Sequence, residues 1–166
     1  DYDLVIFPES ALMSDPEADP LLMSRIVATA RRHYSFVLIN AINREQEGAI
    51  YNTNRLYAPD GSLVANYSKR HLVPFGEYVP WRSELSFISA IDQVPEDFTA
   101  GQNNASNSGI LNLDRRKIGS LICFESVFPE LARREVRDGA EALIVSTNNR
   151  SYRRSANSAQ HVQSSQ

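Results

Sequence analysis

The chain has 166 residues, of which 42% are hydrophobic and 22% are charged, and its formal net charge is -3. These values are typical of a globular domain with a substantial core and exclude a disordered chain. The charge gives no reason to expect a nucleic-acid partner, and no apolar run approaches the roughly 18 residues of a membrane span.

The first part of the chain predicts a strand, a helix and a second strand. Residues 4–7 form a short apolar run and predict a buried strand. From Leu21, apolar side chains recur at helical spacing, which predicts a helix that ends near His33, with the acidic residues 15–19 placed to cap its start. Residues 36–42 are the next apolar run and predict the second buried strand.

The middle of the chain predicts a hairpin and then a long irregular segment. Residues 51–57 and 63–67 predict the two arms of the hairpin, because the sequence APDGS between them holds the proline and glycine of a tight turn. Residues 81–101 show no regular period. This segment carries five large apolar side chains: Trp81, Leu85, Phe87, Ile88 and Phe98.

The last part predicts two paired strands, a helix and a final strand. Residues 110–113 and 118–123 predict the pair, residues 129–137 the helix and residues 142–146 the strand. Helices interleaved with buried strands indicate an α/β layer architecture. We expect residues 1–166 to be one domain, incomplete at both ends, because the chain lacks an initial methionine and ends without a helix stop signal or final strand.

Three polar residues lie where predicted strands end. Glu9 follows LVIFP, Lys69 follows LVANYS, and Cys123 ends IGSLIC. Sites in α/β proteins form at the carboxyl ends of strands, so we expect the three side chains to share a pocket. A carboxylate that takes the thiol proton, a thiolate that attacks, and an ammonium that stabilises the oxyanion suffice for acyl transfer.

Lysine is rare in this chain, which makes its use at position 69 informative. Only two of the 17 basic residues are lysines, Lys69 and Lys117. A compact ammonium on a flexible stem offers chemistry that arginine does not. A surface lysine, a small buried cysteine and a helix-capping glutamate are the ordinary explanations for the three residues, and the residue types alone leave them open.

The segments FPES, YSKRHLVPFGEYVP and ICFESVFPE together resemble the carbon–nitrogen hydrolase (nitrilase) superfamily, in the same order along the chain. The resemblance implies an α-β-β-α sandwich and a catalytic triad with no cofactor. It assigns Glu9 as general base, Lys69 as oxyanion stabiliser and Cys123 as the nucleophile that forms a thioester. No metal-ligand spacing exists among the three histidines, so we expect no metal site.

The sequences HLVPFGEYVP and CFE resemble most closely an acyltransferase branch of that superfamily. The resemblance implies a bacterial membrane enzyme whose hydrolase-like domain lies on the extracytoplasmic face, held by transmembrane helices outside this chain. It implies a phospholipid as acyl donor and the N-terminal amine of a diacylglyceryl apolipoprotein as acceptor. Glu77 and Glu125 match supporting acidic positions, and Phe124 stands where tyrosine is common.

The segment STNNRSYRRS, residues 146–155, departs from the SNDAWFG of many relatives. It retains Asn148 but carries Asn149 in place of the acid and adds arginines, including Arg153 and Arg154. We expect these residues, with Asn148, to contact substrate, the arginines pairing with a phospholipid headgroup. An exposed basic loop is the alternative.

Within the superfamily, we expect the apolar side chains of residues 81–101, Trp81 foremost, to form a substrate-binding lid that keeps water from a thioester, with core packing as the alternative. Three other functions compete with acyl transfer. The first is a soluble amidase with the same triad. The second is a papain-like thiol hydrolase that pairs Cys123 with His71 or His161, and the third is a non-catalytic binding module.

Overall fold

The computed structural model describes residues 2–45, 47–85, 87, 91–92, 94–149 and 157–164. Within these residues, seven strands form two sheets. The first sheet has the order β1-β2-β3-β4, with β1 at Leu4–Ile6, β2 at Phe36–Arg44, β3 at Ile50–Tyr57 and β4 at Leu63–Ser68. The second has the order β5-β6-β7, with β5 at Ile110–Leu113, β6 at Arg116–Ile122 and β7 at Ala142–Ser146. Three helices accompany them: α1 at Pro20–His33, α2 at Pro129–Arg137 and α3 at Asn157–Ser164.

The strand directions place several strand ends on one side of the molecule. β1 runs parallel to β2, and β6 runs parallel to β7, so each pair ends at the same edge of its sheet. β2, β3 and β4 are successive antiparallel neighbours, as the predicted hairpin requires. β5 and β6 are also antiparallel and form the predicted strand pair.

Helix α1 covers the outer face of the first sheet. Asp19 caps its start by accepting hydrogen bonds from two backbone N–H groups, as the acidic loop predicted, and Pro20 occupies the first turn. Its apolar stripe buries Ile26 and Ala30 against Val37 of β2.

The two sheets pack face to face, and α2 covers the second sheet. The core between the sheets includes Leu38 and Leu56 from the first sheet and Leu111 from the second. Helix α2 approaches β6 at Gly119, where an added Cβ would lie 2.7 Å from the Cβ of Glu135. The layers are therefore helix, sheet, sheet and helix, which confirms the expected α-β-β-α sandwich.

Helix α3 was not predicted from the sequence. Among its described side chains only His161 is buried, so no apolar stripe indicated the helix. β6 also differs slightly from its prediction, since it begins at Arg116 and ends at Ile122. Cys123 consequently lies just beyond the strand rather than within it.

Candidate active site

Glu9, Lys69 and Cys123 come together between the two sheets. Glu9 lies three residues beyond β1, and Lys69 and Cys123 directly follow β4 and β6. The Nζ of Lys69 lies 3.6 Å from Oε1 of Glu9, and the charges of both groups act on the Cys123 thiol. All three side chains are buried. Lys69 is therefore not a surface lysine, and Glu9 faces Lys69 rather than capping a helix.

The backbone at Cys123 turns sharply. Its φ of 50° is left-handed, at the point where β6 gives way to a short 3-10 helix, Cys123–Val127. Such a conformation costs a non-glycine residue on the order of 1 kcal/mol or more, and it is maintained only where the surrounding structure enforces it. The turn sets Cys123 at the end of β6, where the charges of Glu9 and Lys69, from the other sheet, act on its thiol.

The Cys123 thiol is held in its protonated form. Burial is the largest cause that raises its pKa, and the negative charge of Glu9 raises it further. The Lys69 ammonium and a hydrogen bond from Thr147 lower the pKa but do not cancel the rise. A carboxylate beside a neutral thiol is the arrangement of a general base before it removes a proton.

Lys69 remains cationic despite its burial. Its side chain is 1% exposed, and this burial alone would lower its pKa. The carboxylates of Glu77, with Oε1 2.9 Å from Nζ, and of Glu9 outweigh the burial and raise the pKa. Glu77 is itself held by the backbone N–H of Val73, 2.9 Å from its Oε2. The site thus contains a fixed ammonium shared by two carboxylates.

Glu125 links the two strand ends that carry Lys69 and Cys123. Its buried carboxylate accepts hydrogen bonds from the hydroxyl of Tyr67 and from the backbone N–H groups of Arg70, His71 and Ile122. Two of these N–H groups directly follow Lys69, and one directly precedes Cys123. Glu125 therefore contacts the backbone next to both candidate residues, and its supporting role stays a prediction.

Asn148 approaches Glu9 from β7. Its backbone N–H lies 3.0 Å from Oε2 of Glu9, and its side-chain amide lies 3.3 Å from the Glu9 carbonyl oxygen. Thr147, one residue earlier, lowers the pKa of the Cys123 thiol. The structure therefore places Asn148 against the candidate base, whereas its contact with substrate stays a prediction. Arg153 and Arg154 lie outside the described residues.

The two histidines proposed for a papain-like pairing have other contacts. The ring of His71 stacks on Phe128 at 4.5 Å between centroids. His161 approaches the carbonyl oxygen of Cys123, with Nε2 at 3.3 Å, and its Nδ1 lies 3.0 Å from Asn149 Oδ1. The ionisable groups that influence the pKa of the Cys123 thiol are Glu9 and Lys69, neither of them a histidine, which weighs against the papain-like alternative.

A groove of about 590 Å³ lies against Phe124 and Arg70, the residues that directly follow Cys123 and Lys69, although none of the three candidate catalytic residues is in its lining. It is lined mainly by apolar and aromatic side chains, among them Leu72, Tyr78, Phe98, Phe124 and Phe128. Phe124 directly follows Cys123, and its ring meets that of Phe128 edge to face. A larger cavity of about 830 Å³ lies near the start of β1 and the β5–β6 turn, and its lining includes none of the three candidate catalytic residues.

The apolar segment after the lysine loop is partly at the surface. Trp81 is 75% exposed and Phe87 is 81% exposed, so core packing is wrong for these two side chains. Leu85 and Phe98 are half-buried, and Ile88 lies outside the described residues. The role of Trp81 as part of a lid stays a prediction.

Two contributors to the site were missed by the sequence analysis, Thr147 and Asn52. Asn52 donates to both Glu9 and Glu77 from the middle of a buried strand. Within the described ranges, no three His, Cys, Asp or Glu side chains are grouped in a way that suits a metal ion. Each helix in the described part of the chain is too short or too polar to cross a lipid bilayer.

Comparisons with known proteins agree with this geometry. The carbon–nitrogen hydrolase family model matches residues 1–166. The chain is 35% identical over 163 residues to an apolipoprotein N-acyltransferase of Geobacter metallireducens, covering 96% of this chain and 30% of the relative. It is 31% identical over 172 residues to that of Brucella suis, covering 99% of this chain and 31% of the relative. The chain thus spans about a third of the length of these relatives.

Solved structures show the same fold. A carbon–nitrogen hydrolase from Helicobacter pylori superposes with a TM-score of 0.67 at 18% identity, over 98% of this chain and 56% of that one. Saccharomyces cerevisiae Nit3, a member of the nitrilase superfamily, superposes with a TM-score of 0.61 at 21% identity, over 87% of this chain and 51% of that one.

Proposed function

The chain belongs to the carbon–nitrogen hydrolase family, and we propose that it forms part of the hydrolase-like domain of a bacterial apolipoprotein N-acyltransferase. In this proposal, residues 1–166 are one incomplete domain that lies on the extracytoplasmic face of the cell membrane. The observation that carries the proposal is the similarity to enzymes of that name along nearly the whole chain, 96% of it in the Geobacter relative.

The first half of the proposed reaction forms a thioester. Glu9 takes the thiol proton as the Cys123 sulfur attacks the ester carbonyl carbon of a phospholipid. The oxyanion forms against the Lys69 ammonium, where a preorganised donor typically lowers the barrier by about 3–4 kcal/mol. The carbon–oxygen ester bond breaks, the proton passes from Glu9 to the departing alkoxide, and lysophospholipid leaves.

The second half transfers the acyl chain to nitrogen. The N-terminal amine of a diacylglyceryl-cysteine lipoprotein attacks the thioester carbonyl and gives a proton to Glu9. The carbon–sulfur bond breaks, an amide forms, and Glu9 returns the proton to the Cys123 sulfur. The raised pKa of that thiol supports this order of events, because the resting sulfur holds its proton until the base removes it.

The groove at Phe124, the residue after Cys123, supports an acyl-chain donor. Aromatic and aliphatic side chains line it, including Phe98, Phe124 and Phe128. Burying each methylene of an acyl chain contributes about 0.8 kcal/mol. Phe124 supplies a ring without a hydroxyl at a position where tyrosine is common, which is compatible with an apolar wall.

The proposal also includes a binding site for the phosphate of the donor headgroup. We keep Arg153 and Arg154 as candidates for pairing with the phosphate, since guanidinium binds phosphate oxygens bidentately. Reversing both charges and measuring the KM for the donor tests the idea. A rise in KM supports it, and an unchanged KM removes it.

A small-amide hydrolase is the second candidate function. The same fold occurs in an amidase from Nesterenkonia, with a TM-score of 0.56 at 20% identity. The deciding experiment supplies the full-length protein with phospholipid that carries a labelled acyl chain, with a diacylglyceryl-cysteine peptide, and with simple amides. Labelled peptide supports acyl transfer, whereas ammonia release from amides without labelled peptide supports the amidase.

A further inference from the structure

Three asparagines lie buried between the sheets, underneath the candidate site. Asn40 on β2 is 0% exposed, and Asn52 and Asn54 on β3 are 3% and 0% exposed. Asn40 and Asn54 are directly opposite in the register of the two strands. A buried amide costs free energy unless its polar atoms are hydrogen-bonded, so the partners of these three side chains need a full account.

The orientation of all three amides follows from one backbone group. The N–H of Ser10 can only donate, and it lies 2.7 Å from Asn40, so the Asn40 atom that faces it is the oxygen Oδ1. The nitrogen of Asn40 therefore points the other way and donates to Oδ1 of Asn52 at 2.7 Å and to Oδ1 of Asn54 at 3.0 Å. The oxygen of each of those two side chains therefore faces Asn40, and its NH₂ group points away from Asn40 and is free to donate elsewhere.

The NH₂ group of Asn52 is thereby directed at two carboxylates. It lies 3.0 Å from Oε1 of Glu9 and 3.1 Å from Oε1 of Glu77. The same two oxygens face Nζ of Lys69, at 3.6 Å and 2.9 Å. An ammonium and an amide thus hold two acids side by side, and the amide does not change its charge near neutral pH.

We propose that Asn52 is a positioning residue that holds the carboxylate of Glu9, the candidate base, in a fixed place beside Cys123. The Ser10 N–H fixes the orientation of the Asn52 amide through Asn40. This inference rests on the proposed catalytic role of Glu9. Ser10 directly follows Glu9 and has a left-handed φ of 54°. The turn that presents the base therefore also supplies the N–H that orients the donor to that base.

The other branch of the network serves a different purpose and provides a control. The NH₂ of Asn54 donates to Oγ of Ser120 on β6 at 2.9 Å and to Oγ of Ser146 on β7 at 3.1 Å. These bonds join the first sheet to the second and do not touch the Glu9 carboxylate. Asn54 matches Asn52 in residue type, strand and burial, so a substitution there perturbs the packing without removing the donor to the base.

The test compares Asn52→Asp with Asn54→Asp in the full-length protein. Aspartate at position 52 replaces the shared donor with a third negative charge beside Glu9 and Glu77. At position 54 the new carboxylate still accepts from Asn40 and from the serine hydroxyls, which can rotate to donate. The first readout is the pH dependence of Cys123 alkylation by iodoacetamide, which needs no natural substrate. The second is the pH dependence of acyl transfer.

For Asn52→Asp we expect the alkylation midpoint and the acidic limb of the transfer rate to move upward by about one pH unit or more, because added negative charge opposes deprotonation of its neighbours. Asn54→Asp should lower the thermal unfolding temperature but leave both pH midpoints in place. An Asn52→Asp midpoint that stays at the wild-type value would overturn the proposal and leave Asn52 with a packing role. A shift of the same size in both variants would overturn it as well.

A third variant keeps the test decisive if Asn52→Asp does not fold. Asn52→Ala removes the donor without adding charge, and misplacement of the base should lower kcat by about 10²-fold with little change in KM. An unchanged kcat would also overturn the proposal. If wild-type protein shows the alkylation behaviour but transfers no acyl chain, the proposed function fails while the positioning role of Asn52 stands.

Discussion

Tyr67 and Glu125 are joined across the two sheets by a buried hydrogen bond. The Tyr67 hydroxyl lies 3.0 Å and 2.9 Å from the two carboxylate oxygens of Glu125, and both side chains are 0% exposed. Tyr67 lies two residues before Lys69, and Glu125 lies two residues after Cys123. The relation between candidate nucleophile and candidate oxyanion stabiliser therefore depends on this contact and on the backbone bonds around it.

Glu125→Gln should be more damaging than Tyr67→Phe. Glutamine presents an NH₂ to a cluster of backbone N–H donors, which leaves buried groups unsatisfied, and we expect a loss of about 3 kcal/mol or more in the free energy of unfolding. Tyr67→Phe removes one hydrogen bond and keeps the backbone bonds, at about 1–2 kcal/mol. Urea unfolding measures both. A milder effect at position 125 than at position 67 would contradict this account of Glu125.

Lys69→Arg should not preserve activity. The ammonium sits in a space that is 1% exposed, between carboxylates at 2.9 Å and 3.6 Å, which a longer planar guanidinium does not fit. We expect Lys69→Arg and Lys69→Ala to lower the rate of acyl transfer by on the order of 10² to 10³. Lys117→Arg is the control and should retain full activity, because Lys117 lies near the start of β6, at the opposite end of that strand from Cys123. Near-normal transfer by Lys69→Arg would show that charge alone suffices.

Stability should fall at alkaline pH because of Cys123. Its pKa is raised in the folded protein, first by burial and then by Glu9, so above about pH 8.5 the unfolded chain releases a proton that the folded chain retains. Wild type therefore loses free energy of unfolding as pH rises from that value, by up to about 1.4 kcal/mol per pH unit. Cys123→Ala lacks this loss.

Unfolding titrations between about pH 7.5 and 9.5 give the comparison between wild type and Cys123→Ala. The range stays below the ordinary pKa of tyrosine, about 10, so the raised pKa of Tyr67 contributes equally to both proteins. Parallel curves for wild type and the alanine variant would show that the folded protein does not retain the thiol proton.

The exposed rings of Trp81 and Phe87 should affect the fate of the thioester. If they form the proposed lid, Trp81→Ala admits water, and a larger share of the acyl chain is released as free fatty acid. The measurement is the ratio of fatty acid to acylated peptide at saturating peptide. Val136→Ala, at a surface position on α2 that is 58% exposed, is the control. An unchanged ratio after Trp81→Ala would count against the lid.

Much of the site was predictable because sites in α/β proteins form at the carboxyl ends of strands. Glu9, Lys69 and Cys123 each follow an apolar run, so their convergence was predicted, although the division of the site between two sheets was not. Asn52 was missed because strand periodicity tells which side chains share a face and not which groups meet them there. Three asparagines at alternating positions of two buried strands were the available signal.

Helix α3 was unpredictable for a different reason. Its described contact with the turn at Cys123 includes the buried polar side chain of His161, and a histidine gives no hydrophobic period to detect. Helix α1, by contrast, was predicted together with its start and end, because its stripe and its cap both act locally. Local signals therefore predicted the layers, and long-range polar contacts completed the site.

Intact-mass spectrometry after incubation with phospholipid tests the catalytic role of Cys123 most directly. Wild-type protein should gain the mass of one acyl group in place of a hydrogen, and neutral hydroxylamine should remove it, since it cleaves a thioester. Cys123→Ala should gain nothing, and Glu9→Gln should form the adduct far more slowly. An acyl adduct that persists on Cys123→Ala would contradict the account.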